Sequence, residues 1–350
     1  MNAMHRLNAA LTVFAAVFAV GAAAEDDGLG EKVLALVTEH ITIPSDTPGI
    51  QIYIRNKRSK ELTVSPERIL LYLHGATYPS ETAFDLQLDG MSWMDYIAAH
   101  GWDVYLVDLR GYGRSTRPAE MDQPARDNPP TVTTDIAVRD VSTAVDYILK
   151  RRSVSKVNLL GWSWGTSIMA AYTTANNDKV NKLALYAPLW LRNTPGLIGG
   201  DGPLGAYRTV TKENARKRWL TGVPADKQAE LIPSGWFEAW TEATWATDPK
   251  ATQGGELRAP NGVIQDVRDY WASGKPYYDP GDIRVPTLLI KAEWDQDTPA
   301  YMAQALFLLL KNAPSKRYVE IGEGTHTVIM EKNRMQLFRE VQLFLDEPSH

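Results

Sequence analysis

The chain has 350 residues, of which 44% are hydrophobic and 23% charged, with a formal net charge of −5 and no cysteine. A chain of this size can bury its own core, and its charge leaves no basic surface suited to nucleic acid. Without cysteine there is no disulfide, no thiolate metal site and no cysteine nucleophile.

In chain order, Met1 to Asn8 carries Arg6, Ala9 to Ala24 is almost wholly apolar, and Glu25-Asp26-Asp27 follows. Ala22-x-Ala24 fits a small-residue cleavage site, so residues 1–24 are expected to be a secretory signal peptide. The apolar run is shorter than the ~20 residues that span a bilayer comfortably, so no stable membrane insertion is expected after cleavage. His40 to Ile54 alternates apolar and polar residues and predicts two short antiparallel strands. The basic run Arg55 to Lys60 is expected to decorate a turn between strands. Arg68 to Leu73 predicts a buried strand running into His74-Gly75-Ala76-Thr77. Met91 to His100 predicts a helix, Asp103 to Val107 a strand, and Thr134 to Lys150 a long helix. Val157 to Leu160 and Lys182 to Ala187 predict further strands.

The segment Leu189 to Asp279 breaks this alternation and holds six of the eleven tryptophans. Helices are predicted there over Thr211 to Leu220 and Gln228 to Trp245. After it, Val285 to Lys291 predicts a strand, Pro299 to Leu310 a helix, Arg317 to Ile321 a strand, and Asn333 to Leu345 a helix. Apolar strands alternating with helices imply an α/β fold with a mostly parallel sheet covered on both faces. The expected organisation is a core over 25–188 and 280–350, with 189–279 inserted as a helical lid. Ligands of such sheets bind beyond the carboxyl ends of the strands.

Gly161-Trp162-Ser163-Trp164-Gly165 sits between a predicted strand and a predicted helix. In that context a sharp turn lifts the Ser163 hydroxyl clear of the sheet, and the flanking glycines permit close strand–helix approach. The backbone N–H of Trp164 is then placed to donate to a developing oxyanion, with Ala76 as the second expected donor. A serine needs a base. Of the histidines, His40 precedes an early strand, His100 ends a helix, His350 is terminal, and His74 suits the shaping of the oxyanion loop. His326, in the late loop after the last strand, is the candidate base. Its acid partner is expected after the strand ending at Lys291, where Glu293, Asp295 and Asp297 compete; Asp295 is favoured, Asp297 next. Candidate substrate contacts are His74, Thr77 and Trp162, with Trp190, Trp236 and Trp240 of the insertion. Other tryptophans there are expected to form its own small core.

Together, His74-Gly75, Asp108-x-Arg110-Gly111-x-Gly113-x-Ser115, the pentapeptide around Ser163, Asp295 ahead of Pro299, and Gly324-x-His326 resemble the α/β-hydrolase family in type and order. The resemblance covers about residues 40–346 and implies a Ser163–Asp295–His326 triad, an acyl-enzyme, and no metal or organic cofactor. The Gly-x-Ser-Trp-Gly turn is similar to that of proline iminopeptidases, yet Ala76-Thr77 stands where those enzymes usually have Gly-Pro. The expected activity is hydrolysis of a small or medium hydrophobic carboxylic ester by an exported serine hydrolase. The alternatives are an amidase or aminopeptidase, with Glu238 and Glu242 as places for an amine site, and a non-catalytic binding protein on the same fold.

Overall fold

The computed structural model describes residues 35–200 and 202–348. The expected signal peptide, residues 1–24, and His350 lie outside the described residues. Among the described residues ten strands form: β1 (Leu36–Pro44), β2 (Gln51–Ser59), β3 (Ile69–Leu73), β4 (Asp103–Asp108), β5 (Val157–Trp162), β6 (Val180–Tyr186), β7 (Tyr207–Val210), β8 (Leu257–Pro260), β9 (Thr287–Ala292) and β10 (Lys316–Ile321). Eight of them make one sheet in the order β1-β2-β4-β3-β5-β6-β9-β10. The β1–β2 and β2–β4 pairs are antiparallel and the rest parallel. The chain thus builds an α/β sheet that is mostly parallel.

Side chains alternate across β3 and divide the interior into two layers. Leu71 and Leu73 pack on the face covered by α3 (Thr134–Arg152), α4 (Trp164–Ala175) and α9 (Ala300–Leu309). Leu70 and Tyr72 pack on the other, with α1 (Glu81–Phe84), α2 (Trp93–Ala99) and α10 (Arg334–Asp346). Because both faces are covered, the central strands read as continuous apolar runs rather than alternating ones. Ser92 caps α2 through a reciprocal pair of hydrogen bonds with Asp95, which fixes where that helix begins. Among the described residues no helix is long and apolar enough to cross a membrane.

Two expectations are corrected. The basic run lies inside β2 from Arg55 to Ser59, with only Lys60 in the turn that follows. Arg55 is buried against Asp85 at 2.7 Å and Glu81 at 2.6 Å, and Lys57 against Asp95 at 2.6 Å. Carboxylates on and beside α1 and α2 neutralise these cations, which is what lets charged side chains sit under a covered strand. The single helix expected over Gln228 to Trp245 is two, α6 (Gln228–Leu231) and α7 (Trp236–Trp245). Pro233 interrupts the ladder, and Gly235 turns the chain at φ 79° just ahead of α7.

The segment between β6 and β9 also carries α5 (Lys212–Trp219), begun by a Thr211 cap, and α8 (Gly262–Asp266). Its two strands, β7 and β8, pair with each other and not with the main sheet. Each spans only four residues, too short to carry a legible alternation.

Candidate active site

Ser163 ends β5 and precedes α4, with φ 57° and ψ −120°. An L-residue rarely adopts that conformation, so its surroundings must impose it. Its N–H donates to the Tyr186 carbonyl at 2.9 Å, and its carbonyl accepts from Thr166 N–H at 2.9 Å and Thr166 Oγ1 at 2.5 Å. The flanking glycines are required by space. A Cβ on Gly165 would lie 2.6 Å from the His74 carbonyl, and one on Gly161 2.6 Å from the Gly165 carbonyl carbon.

His326 follows β10 and Asp295 follows β9, so adjacent parallel strands deliver both to the same sheet end. The His326 Nδ1 and Asp295 Oδ2 are 2.8 Å apart. Asp295 is 1% exposed, and it also accepts from the N–H and hydroxyl of Thr298, each at 2.8 Å. Burial alone would raise the Asp295 pKa, but the His326 charge and these hydrogen bonds outweigh it, so the carboxyl stays below its ordinary range. Burial likewise opposes protonation of His326, yet Asp295 and then Asp297 dominate and lift it above 6.5. The backbone of His326 is fixed from below: its carbonyl accepts from Tyr186 Oη at 2.7 Å and Trp162 Nε1 at 3.1 Å.

The competing acids are placed elsewhere. Glu293 is exposed and accepts from Glu323 N–H at 3.0 Å. Asp297 is held by Arg218 of α5, whose Nε lies 3.0 Å from both carboxylate oxygens.

Ser163 and His326 line one cavity with Gly75, Ala76, Thr77, Tyr78, Trp162, Ala215, Arg218, Trp219, Trp240, Asp297 and Thr327, enclosing about 450 Å³ including its mouth. Of the expected substrate contacts, Thr77, Trp162 and Trp240 are in this wall. Three are not. Trp190 is buried against Tyr278, ring centres 5.2 Å apart. Trp236 lies under the Arg334 guanidinium, 4.5 Å from its ring centre. His74 is fully buried, and its role is a different one. Leu109 N–H donates to its Nε2 at 3.2 Å, which leaves the proton on Nδ1 to donate to the Gly75 carbonyl at 2.7 Å. Burial pushes its pKa down to about 4, so the ring is neutral and this tautomer persists at neutral pH. The Gly75 carbonyl shares its peptide plane with Ala76 N–H. His74 therefore sets the direction of that N–H.

Trp164 opens α4, so its N–H has no acceptor within the helix. Its indole is turned away from the cavity and donates to Thr134 Oγ1 at 2.9 Å. Glu238 and Glu242 lie exposed on α7, outside the cavity wall. Ala215, Arg218 and Trp219 were not singled out from the sequence as cavity residues. Their i, i+3, i+4 spacing on α5 is the signal that one helix face looks into the site.

The chain belongs to the alpha/beta hydrolase fold family, whose model matches residues 69–333. A probable lipase from Schizosaccharomyces pombe is 27% identical over 150 residues, 42% of this chain but only 30% of that protein. The match thus spans under a third of the curated relative. A serine hydrolase from Cycloclasticus zankles superposes with a TM-score of 0.60 at 15% identity, over 88% of this chain and 98% of that one. A thermophilic esterase from Thermogutta terrifontis gives 0.54 at 16% identity, again over 88% and 98%.

Proposed function

We propose that the chain is an exported serine hydrolase that cleaves a carboxylic ester with a small or medium apolar body. One observation carries this reading: a serine held at positive φ shares a cavity with a histidine paired 2.8 Å from a buried aspartate. In the proposed reaction the Ser163 hydroxyl attacks the ester carbonyl while His326 Nε2 takes its proton. Asp295 holds the proton on Nδ1, keeps Nε2 free, and stabilises the imidazolium that forms. The N–H groups of Ala76 and Trp164 receive the oxyanion, each such donor contributing about 3 kcal/mol to the barrier reduction. His326 then protonates the leaving alcohol. Water, deprotonated by the same imidazole, hydrolyses the acyl-enzyme.

The inserted segment acts as the lid of this site, since α5 and α7 supply Ala215, Arg218, Trp219 and Trp240. The indoles of Trp162, Trp219 and Trp240 suit an apolar substrate body. An aminopeptidase needs a carboxylate free to bind an amine. Among the described cavity residues the candidate, Asp297, is matched by Arg218, which favours the ester reading. Export rests on the N-terminal segment, and N-terminal sequencing of secreted material should begin at Glu25.

The test is hydrolysis of a p-nitrophenyl ester series beside aminoacyl p-nitroanilides, with the Ser163→Ala variant as control. Ester turnover lost in the variant supports the proposal. Turnover of anilides alone moves the activity to a peptidase. Ester turnover unchanged in a folded Ser163→Ala protein refutes the nucleophile.

A further inference from the structure

Arg218 lines the cavity, and two further arginines stand behind its wall, Arg208 against Ala76 and Thr77 and Arg192 against the Asp297 backbone. Arg218 is matched by Asp297. Arg192, beyond β6, donates to backbone carbonyls only, those of Asp297, Thr194 and Pro195. Arg208, on β7, donates Nη1 to the Pro260 carbonyl at 2.6 Å and Nη2 to the Ala76 carbonyl at 2.7 Å. Its Nε is buried with no partner. Among the described residues neither Arg192 nor Arg208 has a carboxylate within ion-pair distance, and Asp295 is engaged by His326. Cations without a counter-ion close behind a cavity wall leave a positive potential there that an anionic ligand would offset.

Thr77 adds a second, independent observation. Its Oγ1 accepts from Arg208 Nη2 at 3.0 Å and from Arg218 Nη1 at 3.2 Å. With both lone pairs taken, the hydroxyl has only its proton left to offer, and no acceptor for that proton is present among the described residues. Thr77 lines the cavity, so the proton is directed toward whatever occupies it. A hydroxyl proton and the Arg218 guanidinium on the wall, with the Arg208 charge directly behind Thr77, present what a carboxylate requires.

We propose that the preferred ester carries a free carboxylate, bound by the Thr77 hydroxyl and Arg218 with the Arg208 charge behind them, while its apolar part lies along Trp162, Trp219 and Trp240. The proposal rests on the ester-hydrolase reading and narrows its substrate class to anionic half-esters or esters of carboxylated alcohols.

The test compares two matched pairs: methyl hexanoate with monomethyl adipate, and phenyl butyrate with 3-carboxyphenyl butyrate. The expected result is a kcat/KM at least tenfold higher for the acidic member of one pair, shrinking as salt is raised. Arg208→Gln should lower that acid-to-neutral ratio about tenfold, and Arg208→Lys should keep most of it. If Arg208→Gln does not fold, Thr77→Val, which removes the proton donor, should lower the ratio several-fold. A wild-type ratio at or below one in both pairs overturns the proposal while leaving Ser163-dependent ester hydrolysis intact. So does an Arg208→Gln protein in which both members of the preferred pair fall together, because that marks a merely structural role. Turnover that survives Ser163→Ala overturns the hydrolase reading, and this proposal with it.

Discussion

Replacing Asp295 by asparagine separates chemistry from packing, since the two side chains have the same shape. The carboxylate accepts three hydrogen bonds: Oδ1 from Thr298 N–H, and Oδ2 from both Thr298 Oγ1 and His326 Nδ1, each at 2.8 Å. Asparagine must put an NH₂ at one of these positions. At the Oδ1 position it would face a backbone N–H that cannot turn, leaving two buried donors opposed at a cost of about 1–3 kcal/mol. At the Oδ2 position the Thr298 hydroxyl can rotate to accept. His326 Nδ1 must then accept as well, so the imidazole proton moves to Nε2. The second arrangement is the cheaper one, and it removes the Nε2 lone pair on which the proposed activation of Ser163 depends. The analogous change in serine proteases costs about 10⁴-fold in kcat, and the same order is expected here. Steady-state hydrolysis of p-nitrophenyl butyrate by Asp295→Asn and Asp297→Asn, with folding checked by near-UV circular dichroism, provides the comparison. Asp297→Asn removes the Arg218 partner but leaves the Asp295–His326 pair, so its loss should be far smaller. A folded Asp295→Asn enzyme within tenfold of wild type, beside an inactive Asp297→Asn, would refute the assignment.

The pH profile follows from the same pair. As the proposed base, His326 would act only when neutral, and Asp295 and Asp297 raise its pKa above 6.5 despite burial. Wild-type kcat/KM should therefore rise with pH through a value above 6.5, and an acid limb centred below 6 would contradict the cause given. His74 touches the oxyanion loop but not the cavity, so His74→Ala should lower kcat roughly ten- to a hundredfold with little change in KM; a change confined to KM would show that it meets substrate instead. Gly161→Ala forces a Cβ against the Gly165 backbone, whereas one on Gly200 meets no atom within 4 Å. The first should cost about 3 kcal/mol or more and the second almost nothing, read as thermal midpoints, with equal midpoints counting against the steric argument. Burial raises the pKa of Glu331 from 4.5 to about 7, although Thr325 and the Trp219 indole donate to it. The native state then holds a proton that the unfolded chain has lost, so this group's contribution falls as pH rises from about 4.5 to about 7, by roughly 3 kcal/mol at most. Urea midpoints of wild type and Glu331→Gln across that window should diverge by this slope; parallel curves would rule it out.

What could be read from the sequence and what could not divides along one physical line. The central strands announce themselves because covering both faces of a sheet forces continuous apolar runs such as Ile69–Leu73, a demand that acts residue by residue. The turn at Ser163 is legible for the same reason: its glycines answer contacts that a strand followed at once by a helix must make. Reach favours Asp295 over Glu293 and Asp297 in the sequence, and the structure places its Oδ2 2.8 Å from His326 Nδ1. The helix break at Pro233 and Gly235 was also written in the chain; the apolar spacing of Gln228 to Trp245 simply outweighed a signal of backbone chemistry. His74 was harder, because its neutrality depends on Leu109 N–H, contributed from 35 positions away. Hardest of all are Arg192, Arg208 and Arg218, which share no motif and no spacing. Each alone reads as an ordinary surface cation in a chain that is 23% charged. Arg208 and Arg218 meet only because the insertion folds back over Thr77, and Arg192 joins them only through the Asp297 backbone. Under the proposed reading, substrate preference in this chain is encoded in how the insertion docks on the loop that carries Thr77, a property of tertiary structure to which local pattern is blind.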